Sequence, residues 1–87
     1  MVRVFVPPQL RDVTQGAALI EAAGGTVGAL IADLERRFPG FAQRVLHDGS
    51  LAPGLAVSID SAITARSLHT LIGSASEVHF VPAIAGG

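Results

Sequence analysis

The chain of 87 residues contains no cysteine, no lysine, no tryptophan and no tyrosine. Without cysteine there is no disulfide, thiolate metal site, iron–sulfur cluster or thiol nucleophile. Without lysine there is no Schiff base, no side-chain amine to carry an acyl group and no Walker-type phosphate lysine. Charge is scarce as well: six arginines oppose seven acids, 15% of residues are charged, and the formal net charge is −1. Nucleic-acid binders carry a basic stripe, so this balance argues against one. No segment approaches the roughly 18 apolar residues that span a bilayer. The apolar start of the chain is too short for a secretory signal and ends at Pro7-Pro8. A cytoplasmic protein with no membrane or nucleic-acid contact is expected.

What is present is apolar. Hydrophobic residues make up 49% of the chain, enough to build one small core in a domain that buries roughly 60–65% of its unfolded surface. Residues 2–6 are β-branched and aromatic around a single arginine and read as a strand stopped by the two prolines. Residues 17–23, closed by Gly24-Gly25, are too few for a typical helix and also read as a strand. Thr26 is a candidate N-cap. Val27, Leu30, Ile31, Leu34 and Phe38 follow at the spacing of one helical face, and Pro39 ends the helix because it disfavours the α conformation at Phe38. Asp33, Arg36 and Arg37 fall off that face, and Asp33 and Glu35 read as solvated. A short helical turn is expected over 41–46 and an alternating strand over 55–59. Residues 60–76 carry no clear period, with Leu68, Leu71 and Ile72 as an irregular cover over the core. Residues 77–81 alternate again, Val78 and Phe80 sharing one side. The order β-β-α-β-(irregular)-β predicts a small mixed sheet of four to five strands across one main helix, an α+β arrangement of the β-grasp kind.

Candidate chemistry is thin through the body of the chain. His47, His69 and His79 have no partner at metal-ligand spacing and are expected on the surface, His79 facing outward from the last strand. No serine sits in a Gly-x-Ser-x-Gly elbow. Gly24-Gly25 before Thr26 lacks the Gly-Lys of a phosphate loop. No catalytic residue and no metal site is therefore expected.

The C-terminus differs. Residues 83–87, Ala-Ile-Ala-Gly-Gly, are small and uncharged and follow Pro82, which removes a ladder donor. Glycine lacks Cβ, so its backbone can pass where side chains cannot. The expectation is a compact body over residues 1–82 and a thin, flexible tail over 83–87. Such a tail suits delivery of the Gly87 carboxylate into another enzyme's narrow site, with Gly86, Ala85 and Ile84 giving access.

The end of the chain, residues 77–87, resembles that of the ubiquitin-like sulfur carriers of the MoaD, ThiS and CysO type. So do the helix start at 26–35 with Phe38-Pro39-Gly40, and the first loop, Val6-Pro7-Pro8-Gln9-Leu10-Arg11 with Thr14-Gln15-Gly16. The similarity covers nearly the whole chain and leans towards the CysO type. It implies a ubiquitin-like β-grasp fold and a carrier that is not itself a catalyst. Its Gly87 carboxylate would be adenylated with ATP by an E1-like enzyme of the MoeB/ThiF type and converted to a thiocarboxylate. The implied acceptor is a synthase, of the cysteine synthase or molybdopterin synthase large-subunit type, or the maker of a specialised sulfur metabolite. No cofactor would be bound permanently; ATP belongs to the activating enzyme. Two alternatives accompany this reading: a small subunit of molybdopterin synthase, and a ubiquitin-like modifier of other proteins. The chain departs from the family where Ile59-Asp60-Ser61 replaces Val-Asn-Gly or Val-Asn-Asp, and where Ala75-Ser76 replaces Gly-Asp.

Overall fold

A computed structural model describes residues 1–61, 63–65, 67–73 and 75–82. Strand β1 (Val2–Phe5) leads through a 3₁₀ turn (Pro8–Leu10) to β2 (Leu19–Ala22). Helices α1 (Val27–Arg37) and α2 (Phe41–Val45) follow, then β3 (Leu46–His47), β4 (Ser50–Leu51), β5 (Leu55–Ile59), β6 (Ile63–Ala65) and β7 (Glu77–Pro82). Five strands form one mixed sheet in the order β2-β1-β7-β5-β6. β1 and β7 lie parallel at its centre, β2 is antiparallel to β1, and β5 is antiparallel to both β7 and β6.

Period-2 alternation decides which residues enter the core. Val2 and Val4 of β1, Ile20 and Ala22 of β2, Val57 and Ile59 of β5, and Val78 and Phe80 of β7 all face the helices and are buried. Across from them α1 presents Val27, Leu30, Ile31 and Leu34, the helical face read from the sequence. Phe41 of α2, fully buried, meets Phe80 edge to face with ring centroids 5.6 Å apart. Truncating a buried Leu such as Leu30 to Ala costs about 2–5 kcal/mol at positions of this kind.

The first turn of α1 shows why residues 67–72 carry no period of their own. Thr26 Oγ1 accepts from the Ala29 N–H at 3.1 Å, the expected cap. The Val27 and Gly28 N–H groups, which have no intrahelical acceptor, donate to the carbonyls of Thr70 (3.1 Å) and Leu68 (2.9 Å). This segment is shaped by the helix end it satisfies. Leu68 and Ile72 pack on the core as expected, but Leu71 does not: it is 79% exposed. Gly24 permits a close approach, since a Cβ there would lie 2.5 Å from the Leu30 nitrogen.

Two solvated carboxylates expected on α1 are instead structural. Asp33 is buried, its carboxylate accepting from the Ala23 N–H at 3.1 Å and pairing with Arg36 and Arg37. Arg37 also donates to the Glu21 carbonyl. The contacts fall on backbone groups of Glu21 in β2 and of Ala23 just past it, so the end of α1 covers part of a sheet edge. Half-buried Glu35 accepts from the Gly40 N–H (3.2 Å) and the Ala42 N–H (2.8 Å), holding the start of α2.

Two features, a hairpin and an edge strand, have no counterpart in the sequence reading. β3 and β4 form a hairpin around Asp48 (φ 52°) and Gly49 (φ 78°), and β6 pairs with β5 as an edge strand. Both are too short for alternation to register. Among the described residues no helix is long and apolar enough to cross a membrane.

Candidate functional site

The strand that leads to the C-terminal glycines is an interior strand of the sheet. β7 is paired on both sides, in register from Arg3↔Glu77 to Phe5↔His79 with β1 and from Ile59↔Val78 to Leu55↔Pro82 with β5. Val78 and Phe80 anchor it in the core. The chain is thus held firmly up to Pro82. Gly87, expected to react, and Gly86, Ala85 and Ile84, expected to give it access, lie outside the described residues together with Ala83.

On the side of the sheet away from the helices, Phe5 and His79 are neighbours across the parallel β1–β7 pair. Their rings stack 4.3 Å apart and 7° from parallel. His79 does face outward, as read from the sequence, but it is half-covered by Phe5. Beside this pair lies a groove of about 340 Å³ whose lining includes Pro7, Arg11, Ala18 and Val81. The groove sits where β1 and β7 both end, beside the last of the described residues. Arg11 Nε donates to the Val6 carbonyl at 3.1 Å.

Neither Phe5, Arg11 nor the groove was identifiable as a site from sequence. Alternation marks Phe5 and His79 as outward, but their adjacency depends on pairing between strands 74 residues apart. Elsewhere on the same side, Arg3 and Glu77 form an ion pair at 2.5 Å, exposed enough to be worth at most about 1 kcal/mol. His47 lies exposed beside Asp48 and His69 is exposed. Among the described residues no three His, Asp or Glu side chains converge as metal ligands.

At the opposite end of β7, Asp60 accepts from the Glu77 N–H at 2.8 Å and the Ser76 hydroxyl at 2.9 Å. These bonds, the backbone one first, hold its carboxyl below the usual carboxylate range. The two departures from the family pattern are therefore in contact with each other. They tie the start of the tail-bearing strand to the end of β5.

A five-stranded mixed sheet with parallel central strands, crossed by one main helix, defines a ubiquitin-like β-grasp fold. A match to the ThiS family runs over residues 4–87, and the chain belongs to this family of ubiquitin-like sulfur carriers. Sulfur carrier protein CysO of Mycobacterium tuberculosis is 33% identical over 93 residues, covering 99% of this chain and 98% of its own. CysO in the Amycolatopsis orientalis BexX/CysO complex superposes with a TM-score of 0.89 at 29% identity, over 100% of both chains. The small archaeal modifier protein 1 of Methanosarcina acetivorans has the same fold, with a TM-score of 0.78 at 21% identity over 99% of this chain and 95% of its own.

Proposed function

We propose that the protein carries sulfur as a thiocarboxylate on Gly87. The observation that carries this reading is the extent of the family match: it runs through the last residue and so includes both terminal glycines. A relative with full-length similarity is named a sulfur carrier. The structure adds a fixed root, because β7 is paired with β1 as far as His79 and with β5 as far as Pro82.

The chemistry follows from what a carboxylate lacks. Its oxygen is a poor leaving group, so an E1-like enzyme of the MoeB/ThiF type must first activate it. A Gly87 oxygen attacks the α-phosphorus of ATP, the α–β phosphoanhydride bond breaks, and pyrophosphate leaves. Sulfur at the oxidation level of sulfide then attacks the acyl carbon and AMP departs, leaving the thiocarboxylate. ATP is consumed by the partner and is not a resident cofactor here. A synthase accepts the sulfur, and the similarity to CysO favours cysteine synthesis over molybdopterin. We place these steps in the cytoplasm, where ATP is available. The chain contributes the acyl group and the docking body and catalyses neither step.

Intact mass spectrometry tests the proposal. After incubation with the E1-like enzyme, ATP and a sulfide source, the full chain should gain the mass of one sulfur exchanged for one oxygen, located at Gly87 by fragmentation. An unchanged Gly87 carboxylate, under conditions that convert a control carrier, would refute it.

A further inference from the structure

We propose that the groove at the root of the tail docks a carboxylate side chain of the activating enzyme. Arg11 clamps the carboxylate, and an apolar residue next to it lies against the Phe5–His79 pair. The inference rests on the carrier reading above and names the chemistry by which the body of the carrier is recognised.

Charge bookkeeping singles out Arg11. Of the five arginines in the described residues, Arg3, Arg36, Arg37 and Arg44 each lie within 4.0 Å of a carboxylate of this chain. Arg11 does not, and its hydrogen bond is a single one from Nε to the Val6 carbonyl. Both Nη groups are left without a described protein partner. Among the described residues no acid lines the groove, and the adjacent Asp12 is engaged by Arg44 at 2.6 Å. A planar, permanently charged guanidinium with a free fork suits bidentate capture of a carboxylate.

Arg11 is also held in place before any partner arrives. Its carbonyl accepts the Gly16 N–H at 2.7 Å. The buried Thr14 hydroxyl closes the same loop on the Ala17 carbonyl at 2.9 Å, and Leu10 anchors it in the core. Little freedom remains to be lost when a partner binds, which is how preorganised sites gain affinity. The aromatic pair and Val81 provide an apolar floor beside the charge, the setting in which an interface arginine counts most.

Position separates a carboxylate from the phosphates of ATP. The five residues beyond Pro82 span up to about 17 Å when extended into a narrow active site. The nucleotide reacting at Gly87 is therefore remote from the groove, and Arg11 meets the body of the enzyme.

The test uses the full-length chain and the E1-like enzyme that activates it, with ATP–pyrophosphate exchange as the readout. Arg11→Gln should raise KM for the carrier by about tenfold or more, with kcat within about twofold, because binding common to ground and transition states is lost. Arg11→Lys loses the planar fork and the Nε bond to Val6 but keeps the charge, and it should recover part of the loss. KM of the wild-type chain should rise with salt between low and physiological ionic strength, and that of Arg11→Gln should not. Unchanged KM in Arg11→Gln overturns the inference. An equal loss in Arg11→Lys overturns it too, since the role would then be structural. Failure of the wild-type chain to support exchange sinks the carrier reading itself, and this inference with it.

Discussion

Glu35 offers a quantitative check on how the tail-bearing strand is supported. Its carboxylate accepts the Gly40 and Ala42 N–H groups, two donors that α2 cannot satisfy from within. α2 in turn places Phe41 against Phe80 of β7. Glu35→Ala removes both acceptors and leaves two backbone donors to water at a half-buried site. Hydrogen bonds to a charged group contribute about 1.5–3 kcal/mol each when buried, and partial hydration brings the pair to about 2 kcal/mol in total. For a domain of this size that lowers Tm by roughly 8–16 °C. Glu35→Gln retains one carbonyl oxygen for the shorter bond to Ala42 and should lose about half as much. With no tryptophan or tyrosine in the chain, unfolding has to be followed by far-UV circular dichroism rather than intrinsic fluorescence. A solvated glutamate on a helix surface would change stability by no more than about 0.5 kcal/mol. A Glu35→Ala melt within about 2 °C of wild type therefore refutes the capping role.

Further tests concern the turn, the helix approach, acid stability and the tail. Ser61 has φ of 60°, which costs a side-chain-bearing residue about 1–2 kcal/mol; Ser61→Gly relieves this against a glycine entropy cost of about 0.5–1 kcal/mol, for a net gain near 0.5–1 kcal/mol in urea titration. Gly24→Ala drives a methyl into the Leu30 backbone and should destabilise by about 1–3 kcal/mol; a neutral result would mean the loop relaxes freely. Asp33, through the Ala23 N–H and then Arg36, is held below the usual carboxylate range, as is Asp60. Their stabilisation is complete above the unfolded value of about 3.9 and lost as pH falls through the lowered native values. The urea midpoint should therefore be flat from neutrality to about pH 5 and fall steeply below about pH 4, with Asp33→Asn showing a shallower fall. Deleting Gly87 should abolish activation by the E1-like enzyme and leave the melting curve unchanged; a large drop in Tm would assign the tail a structural role.

The elements legible in the sequence were those with a period long enough to count. Five apolar positions define α1, and the alternating residues of β1, β5 and β7 define the buried side of the sheet. Thr26, Pro39 and the paired prolines mark ends for local reasons that act within a few residues. Other features depend on partners far along the chain. Asp33 reads as solvated because its spacing puts it off the apolar face, yet the Ala23 N–H at the end of β2 needs an acceptor there. Residues 67–72 follow the orphan N–H groups of α1 rather than any pattern of their own. The candidate site divides in the same way. The glycine tail is visible because its signal is composition alone, whereas the Phe5–His79 stack and the isolation of Arg11 exist only once β1 and β7 are side by side.

The departures from the family pattern bear on where partner choice is encoded. Taken singly, Asp60 for Asn and Ser76 for Asp are two loop changes that could alter a docking surface. In the fold they meet, the Ser76 hydroxyl donating to the Asp60 carboxylate. Asp60 also takes the Glu77 N–H, so the junction between β5 and β7 stays closed. The contact lies at the start of β7, the full length of the strand from Pro82, and contributes nothing to the surface from which the tail departs. Exchanging the pair for the family's residues, Asp60→Asn with Ser76→Asp, should therefore leave KM for the activating enzyme unchanged, and each single change should lower stability more than the two together. If the double variant alters KM, recognition extends to the far end of the sheet; if it does not, the Asp60–Ser76 contact plays no part in partner choice, which leaves the groove that holds Phe5, Arg11 and His79 as the site to test.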